Sequence, residues 1–121
     1  MYSISATNKT PNIELDEANC IIRIVGRSIH EDPKGFYADV FERCKAILDK
    51  NPAEFKIVFE LTYFNSSSAI IFRDFIRMFD ASSATISVDW CYEDDDDEMR
   101  GSGEEFDHLF ENIQFEFVVI S

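Results

Sequence analysis

The sequence predicts an α/β domain in which helices pack on a mainly parallel or mixed β-sheet. Short runs of β-branched and aromatic residues alternate with segments whose apolar residues recur every three or four positions, in the order β-β-α-β-α-β-α-β. The length of 121 residues favours one domain over 1–121, because two separate cores would each be near the lower size limit for independent folding.

The N-terminal part predicts a hairpin that follows a loosely ordered start. Residues 1–10 are rich in Ser, Thr and Asn, and we expect them to be loosely ordered. Residues 13–15 and 20–25 are two strand-forming runs separated by a polar turn. Gly26 ends the second run, and residues 27–32 are predicted to form a connecting loop.

A helix and a central strand are predicted next. Asp32 is a suitable N-cap, Pro33 is tolerated in the first turn, and Asn51-Pro52 stops the helix. One face of this helix is apolar and is formed by Phe36, Tyr37, Val40, Phe41, Cys44, Ile47 and Leu48. Residues 55–61 are the strongest strand, and their composition suits a buried central position.

The second half of the chain continues the alternation. A helix is predicted from Asn65 to about Phe79, and residues 84–90 are predicted to form a strand. An acidic loop at 93–98, a third helix over about 104–112 and a last strand at 113–120 complete the predicted order.

Charge and cysteine usage exclude several classes of protein. The 11 basic and 24 acidic residues give a net charge of −13, which would repel nucleic acids and anionic membranes and favours basic proteins or cations as partners. No segment approaches the roughly 18 apolar residues of a membrane span, and the N-terminus has no apolar secretion signal. Three cysteines without CxxC spacing are typical of a reduced, cytoplasmic protein.

No combination of residues predicts an enzyme, a cofactor site or a metal site. An EF-hand loop starting at Asp96 would place Arg100 at a ligand position, so the acidic run 93–98 fits a solvated loop or a surface for basic partners better. Ser28, His30 and Asp32 lie within five residues, whereas a catalytic triad needs groups that converge from separate elements.

The run Asn65-Ser66-Ser67-Ser68 at a predicted helix start has two interpretations. Asn and Ser are favoured N-caps because their side chains accept hydrogen bonds from N–H groups that have no helical partner. The same position also suits a regulatory phosphate, which would meet free N–H donors and the positive end of the helix dipole. That charge would lie beside Tyr63, Phe64 and Ile70.

Several blocks of sequence together resemble a known family over about residues 10–117. The most specific blocks are Tyr63-Phe64-Asn65-Ser66-Ser67-Ser68 and Trp90-Cys91-Tyr92-Glu93. The others are Thr10-Pro11, Gly26-Arg27-Ser28 with Glu31-Asp32, Phe36-Tyr37, Asp97-Glu98-Met99 and Gly103-Glu104-Glu105-Phe106. On these residues the chain resembles the SiaC family of bacterial regulatory phosphoproteins.

The resemblance implies a STAS-like fold and a partner-switching cycle. A serine/threonine kinase of the histidine-kinase-like ATPase type would phosphorylate Ser66, with Ser67 as the rival acceptor, and a PP2C-type phosphatase would remove the phosphate. The unphosphorylated form would bind an effector, which in the SiaC system is a diguanylate cyclase. The residues expected to contact partners are Tyr63, Phe64, Asn65, Ser67, Ser68, Trp90 and Tyr92. The alternative is a constitutive STAS-like binding module in which the serines only cap the helix.

Overall fold

The computed structural model describes residues 1–120, which form six strands and three helices. Their bounds are β1 (Tyr2–Ile4), β2 (Asn12–Asp16), β3 (Ile21–Ser28), α1 (Pro33–Leu48), β4 (Glu54–Phe64), α2 (Ser66–Asp80), β5 (Thr85–Glu93), α3 (Asp97–Leu109) and β6 (Gln114–Ile120). From β2 onward, the predicted order of elements is confirmed. Within the described residues, the helices lack the length and apolar character that crossing a membrane requires.

The strands form one mixed sheet whose spatial order follows the chain, β1-β2-β3-β4-β5-β6. The pairs β1–β2 and β2–β3 are antiparallel, and the three pairs from β3 to β6 are parallel. Each parallel step therefore needs a crossover connection, and the three helices supply these connections.

All three helices cover the same face of the sheet. The Phe59 ring of β4 lies 5.3 Å from Phe72 of α2 and 5.2 Å from Trp90 of β5. Tyr37 of α1 lies 5.5 Å from that Phe72, and Phe106 of α3 lies 5.5 Å from that Trp90, with distances measured between ring centroids. The opposite face of the sheet carries charged side chains, and there Lys56 Nζ lies 3.4 Å from Asp89 Oδ2.

The expectation of a loosely ordered N-terminus is wrong for residues 2–4. Tyr2 pairs with Leu15 and Ile4 with Ile13, so β1 adds an antiparallel edge strand. The Tyr2 hydroxyl donates to Asp39 Oδ2 at 2.7 Å, and the guanidinium of Arg43 lies 4.0 Å from the centre of its ring. Tyr2 and Ile4 are the apolar residues of β1. Tyr2 contacts α1 and Ile4 pairs with Ile13 of β2, and these contacts stabilise the strand.

The second predicted strand is longer than expected because Gly26 forms a bulge and not an end. Its φ of 121° lies in a region that residues with a Cβ rarely adopt. The register against β4 shifts between Gly26 and Arg27, and pairing then continues to Ser28 opposite Phe64. The extension brings the Ser28 side chain to the start of α2.

The acidic segment is also partly helical, which corrects the predicted loop at 93–98 and the predicted start of the third helix. Asp96 is the N-cap of α3, and its Oδ1 accepts the N–H of Met99 at 3.0 Å. Asp97 and Glu98 form the first turn, where the helix dipole favours negative charge. The helix ends at Leu109.

Candidate functional site

The candidate site is the N-terminus of α2, which begins directly after β4. Asn65 is the N-cap with φ −89° and ψ 174°, and its Oδ1 accepts the N–H of Ser68 at 2.9 Å. The N–H of Asn65 donates to the carbonyl oxygen of Ser28 at 3.2 Å, which ties the cap to the end of β3. In this arrangement the N–H groups of Ser66 and Ser67 have no helical acceptor.

The three serines have different environments. Ser66 and Ser67 are exposed, whereas Ser68 is fully buried. Ser68 Oγ donates to the Ser28 carbonyl at 2.8 Å and accepts from Ser28 Oγ at 2.8 Å. In this conformation the Ser68 hydroxyl is committed to the core, and its contact with a partner stays a prediction.

A chain of buried hydroxyl groups joins α1, β3 and α2 beneath the site. Ser28 Oγ lies 2.7 Å from the Tyr37 hydroxyl. Since Ser28 donates its proton to Ser68, the Tyr37 hydroxyl is the donor to Ser28. Burial raises the pKa of Tyr37, so this phenol stays protonated and able to donate. These bonds fix the position from which the exposed Ser66 and Ser67 project.

We expect Ser68→Ala to lower the free energy of unfolding by about 2 kcal/mol, because it leaves the Ser28 hydroxyl proton without its acceptor in the core. Ser67→Ala is the matched control one residue away, and its exposed side chain should change stability by less than about 0.5 kcal/mol. Urea unfolding followed by circular dichroism measures both. Equal losses in the two variants would contradict the buried network.

An aromatic cluster supports the site from below. Phe64 is half-buried, and its ring lies 5.6 Å from Phe72, 6.2 Å from Trp90 and 6.4 Å from Phe106. Trp90 is fully buried, and its Nε1 donates to the Met99 carbonyl at 2.8 Å. Tyr92 is only 7% exposed. Both side chains pack inside the domain, and their contact with a partner stays a prediction.

The accessible surface around the site is a shallow groove between α2 and α3, with a volume of about 240 Å³. The α2–α3 groove is lined by Phe64, Ala69, Ile70, Arg73, Ser102, Glu105 and Phe106. Ile70 is half exposed, as is Tyr63 at the end of β4. Arg73 Nε makes no hydrogen bond and lies 4.0 Å from Asp74 Oδ1, and the Arg73 side chain is partly exposed. The groove offers four apolar residues, an acidic residue and a cation.

The acidic segment does not gather its carboxylates at one point. Asp96 is used as a helix cap, and Asp97 and Glu98 follow on the first turn of α3. Within residues 1–120, no three His, Cys, Asp or Glu side chains are grouped in a way that could hold a metal ion. The segment instead gives the start of α3 a strongly negative surface.

Sequence reasoning placed Ser28 in a loop and therefore missed the hydroxyl network. The available signal was Gly26, since an isolated glycine inside a strand pattern indicates a bulge after which pairing continues. The α2–α3 groove had no comparable signal, because it depends on how two helices lie on the sheet.

Comparison with known proteins identifies relatives along the whole chain. The sequence profile of the SiaC family regulatory phosphoproteins matches residues 4–120. A search of curated proteins gave no match.

Three solved structures share the fold. A chain in the crystal structure of the diguanylate cyclase SiaD in complex with its activator SiaC from Pseudomonas aeruginosa superposes with a TM-score of 0.92, at 20% identity, covering 99% of this chain and 100% of that one. Apo-SiaC from the same organism gives 0.84 at 21% identity, with 100% of both chains covered. A further structure of SiaC from that organism gives 0.82 at 22% identity, with 99% of this chain and 98% of that one covered.

Proposed function

The chain belongs to the SiaC family of regulatory phosphoproteins, and on that basis we propose that it is a phosphorylation-controlled protein–protein switch with Ser66 as the acceptor. Its unphosphorylated form would bind an effector protein in the bacterial cytoplasm. The observation that supports this most is an exposed serine at the capped start of α2, one helical turn from an exposed apolar residue.

Two properties favour Ser66 as the acceptor. Its hydroxyl is exposed, whereas that of Ser68 is buried. Residues four apart on a helix are neighbours, so Ser66 shares the face of Ile70, which lines the α2–α3 groove. Both helix neighbours of Ser66, Ala69 at i+3 and Ile70 at i+4, line the groove, whereas of the two neighbours of Ser67 only Ile70 lines it and Ile71 does not. A phosphate on Ser66 would therefore change the groove's edge more than a phosphate on Ser67.

The proposed chemistry needs no catalytic group from this chain. A partner kinase would transfer the γ-phosphoryl group of ATP to Ser66 Oγ, with release of ADP and of the hydroxyl proton. A PP2C-type phosphatase would then hydrolyse the phosphoester with water and restore the hydroxyl. The phosphate would be held by the unpartnered N–H groups of Ser66 and Ser67 and by the positive end of the α2 dipole.

The added charge would oppose docking by a direct physical effect. A phosphate carries close to two negative charges at neutral pH. An effector side chain seated on Ile70 would have to exclude water next to that dianion, which is costly unless a cation neutralises it. The domain already carries a net charge of −13, so the phosphate adds to an existing negative field.

The effector we propose is a diguanylate cyclase. SiaC from Pseudomonas aeruginosa is the activator of the diguanylate cyclase SiaD and has the same fold as this chain. A cyclase from the source organism is therefore the first effector to test, with synthesis of cyclic di-GMP as the readout.

Mapping the phosphate on the native protein tests the acceptor. The protein is purified from its source cell with phosphatases inhibited, and peptides covering α2 are fragmented by mass spectrometry. We expect one phosphoryl group on Ser66, which disappears in Ser66→Ala and remains in Ser67→Ala. A phosphate on Ser67 alone would transfer the role to that residue. An unmodified peptide under all growth conditions would support the constitutive binding module instead.

A further inference from the structure

Strand β6 forms an edge of the sheet that is open within residues 1–120. It pairs with β5 on one side over seven residues, from Ser87–Gln114 to Glu93–Ile120, and it is the last strand in the order of the sheet. Its sequence QFEFVVI contains neither Lys nor Pro, and its pairing with β5 shows no register shift. Native proteins usually protect edges by charge, proline, bulges or short length. β6 has none of these devices except one glutamate.

The side chains of β6 alternate between the two faces of the sheet. Phe117 pairs with Trp90 and Val119 with Tyr92, so these residues, with Phe115, lie on the face that the helices cover. The helices cover this row incompletely, since Phe115 and Phe117 are half-buried and Val119 is 51% exposed. An apolar row thus extends to the open edge and stops there.

We propose that β6 pairs with β6 of a second copy of this chain, antiparallel and about a two-fold axis at Phe117. The two six-stranded sheets would then form one continuous sheet. Such an interface is isologous and closes at two copies. Pairing of β6 with the three-residue β1 of another copy would instead satisfy fewer backbone groups and would grow without limit.

The self-complementary sequence of β6 supports this register. With Phe117 opposite its own counterpart, Phe115 faces the partner's Val119, and all seven residues of each strand are paired. The Phe117 pair and the two Phe115–Val119 pairs are aromatic or β-branched and lie on one face, a combination that stabilises neighbouring strands. Edge pairing therefore completes the apolar row that a single copy leaves unfinished.

The charge pattern of β6 favours the same register. Glu116 would face the partner's Val118, so no carboxylate meets another. Moving the axis to Glu116 would place two glutamates directly opposite each other, which destabilises a strand pair. Moving it to Val118 would leave only five residues of each strand paired, from 116 to 120.

The first experiment measures mass by sedimentation equilibrium over a range of concentrations and salt. We expect a reversible dimer of twice the 14.0 kDa chain mass, which tightens as added salt screens the repulsion between two acidic copies. Val119→Lys should raise the dimer Kd at least tenfold, because it removes the apolar cross-strand contact with the partner's Phe115 and requires the ammonium group to lose water. Leu109→Lys is the matched control, since Leu109 is 56% exposed on α3 and should leave the Kd unchanged.

The results separate the alternatives. The proposal would be overturned if the wild-type chain remained monomeric from roughly 1 to 200 μM. The open edge of β6 would then be available to pair with an extended segment of another protein. Dissociation by Leu109→Lys but not by Val119→Lys would place the dimer interface elsewhere. Thermal melting of both variants confirms that each is folded.

A crosslinking experiment tests the register. Opposite residues of antiparallel strands lie about 4.5–5.5 Å apart between Cα atoms, which suits a disulfide. Phe117→Cys in a Cys20→Ser background should form a dimer on mild oxidation, whereas Leu109→Cys in that background should not. Cys44 and Cys91 are buried and do not interfere. No dimer from folded Phe117→Cys would exclude the axis at Phe117. This inference is independent of the phosphorylation proposal, because none of its residues lies on α2.

Discussion

Ser66→Asp is expected to weaken binding of the effector by about tenfold or more, a loss of at least about 1.4 kcal/mol, whereas Ser66→Ala retains it. The aspartate places a charge at the first position of α2, one turn from Ile70 in the α2–α3 groove. Docking on Ile70 would then have to desolvate that carboxylate. Calorimetric titration with the purified cyclase gives the Kd of each form, and cyclic di-GMP synthesis gives the consequence for activity.

Loss of folding can be separated from loss of binding in this experiment. A carboxylate in the first turn of a helix is favoured by the dipole, so Ser66→Asp should melt at the same temperature as the wild type or slightly higher. Ser67→Asp adds the same charge one residue further along, where only one of its two helix neighbours, Ile70, lines the groove, and we expect a smaller effect on the Kd. Equal binding by Ser66→Asp and Ser66→Ala would refute the switch mechanism.

Gly103→Val, on helix α3, is expected to lower the free energy of unfolding by about 3 kcal/mol. A Cβ at Gly103 would lie 2.5 Å from Cδ1 and 2.6 Å from Nε1 of Trp90. The indole cannot move freely, because its Nε1 is hydrogen-bonded to the Met99 carbonyl. Overpacking of this kind forces the backbone or the rotamer to shift. Either shift would move α3 away from β5.

Gly101→Val is the matched control, since a Cβ at Gly101 meets no atom within 4 Å. The two glycines lie two residues apart on α3 and have the same helix propensity, so any difference between the variants comes from packing. We expect Gly101→Val to change stability by less than about 1 kcal/mol. Denaturant unfolding measures both, and similar midpoints for the two would mean that α3 does not rest on Trp90 as described.

The fold was predictable because the patterns that specify it are local. The apolar period of α2 and the β-branched run in β4 depend on residues that are close in sequence, and both elements were predicted in the correct order. Boundaries were less predictable, because they depend on single side-chain contacts. The hydrogen bond from Met99 to Asp96 begins α3 within what the sequence presents as an acidic loop.

The candidate site was predictable only in part for the same reason. The Asn65 cap follows from the residue type and its position, and the structure confirms it. Which serine is buried does not follow from the sequence, since Ser66, Ser67 and Ser68 are identical in type. Ser68 is selected by the Ser28 hydroxyl, which comes from a strand 40 residues earlier in the chain. The burial of Trp90 likewise depends on Gly103 of a helix that follows it.

The strand order of the sheet, which equals the order along the chain, bears on how the molecule forms. Each strand after β1 pairs with the strand that precedes it, so no gap has to open for a later strand to insert. The sequence separation between paired strands is that of one connection, which keeps the contact order low for a parallel sheet and favours rapid folding. During synthesis the sheet can therefore grow one strand at a time, starting from β1. The pairing of β6 with β5 is the last step, and it becomes possible only after residues 114–120 have been synthesised.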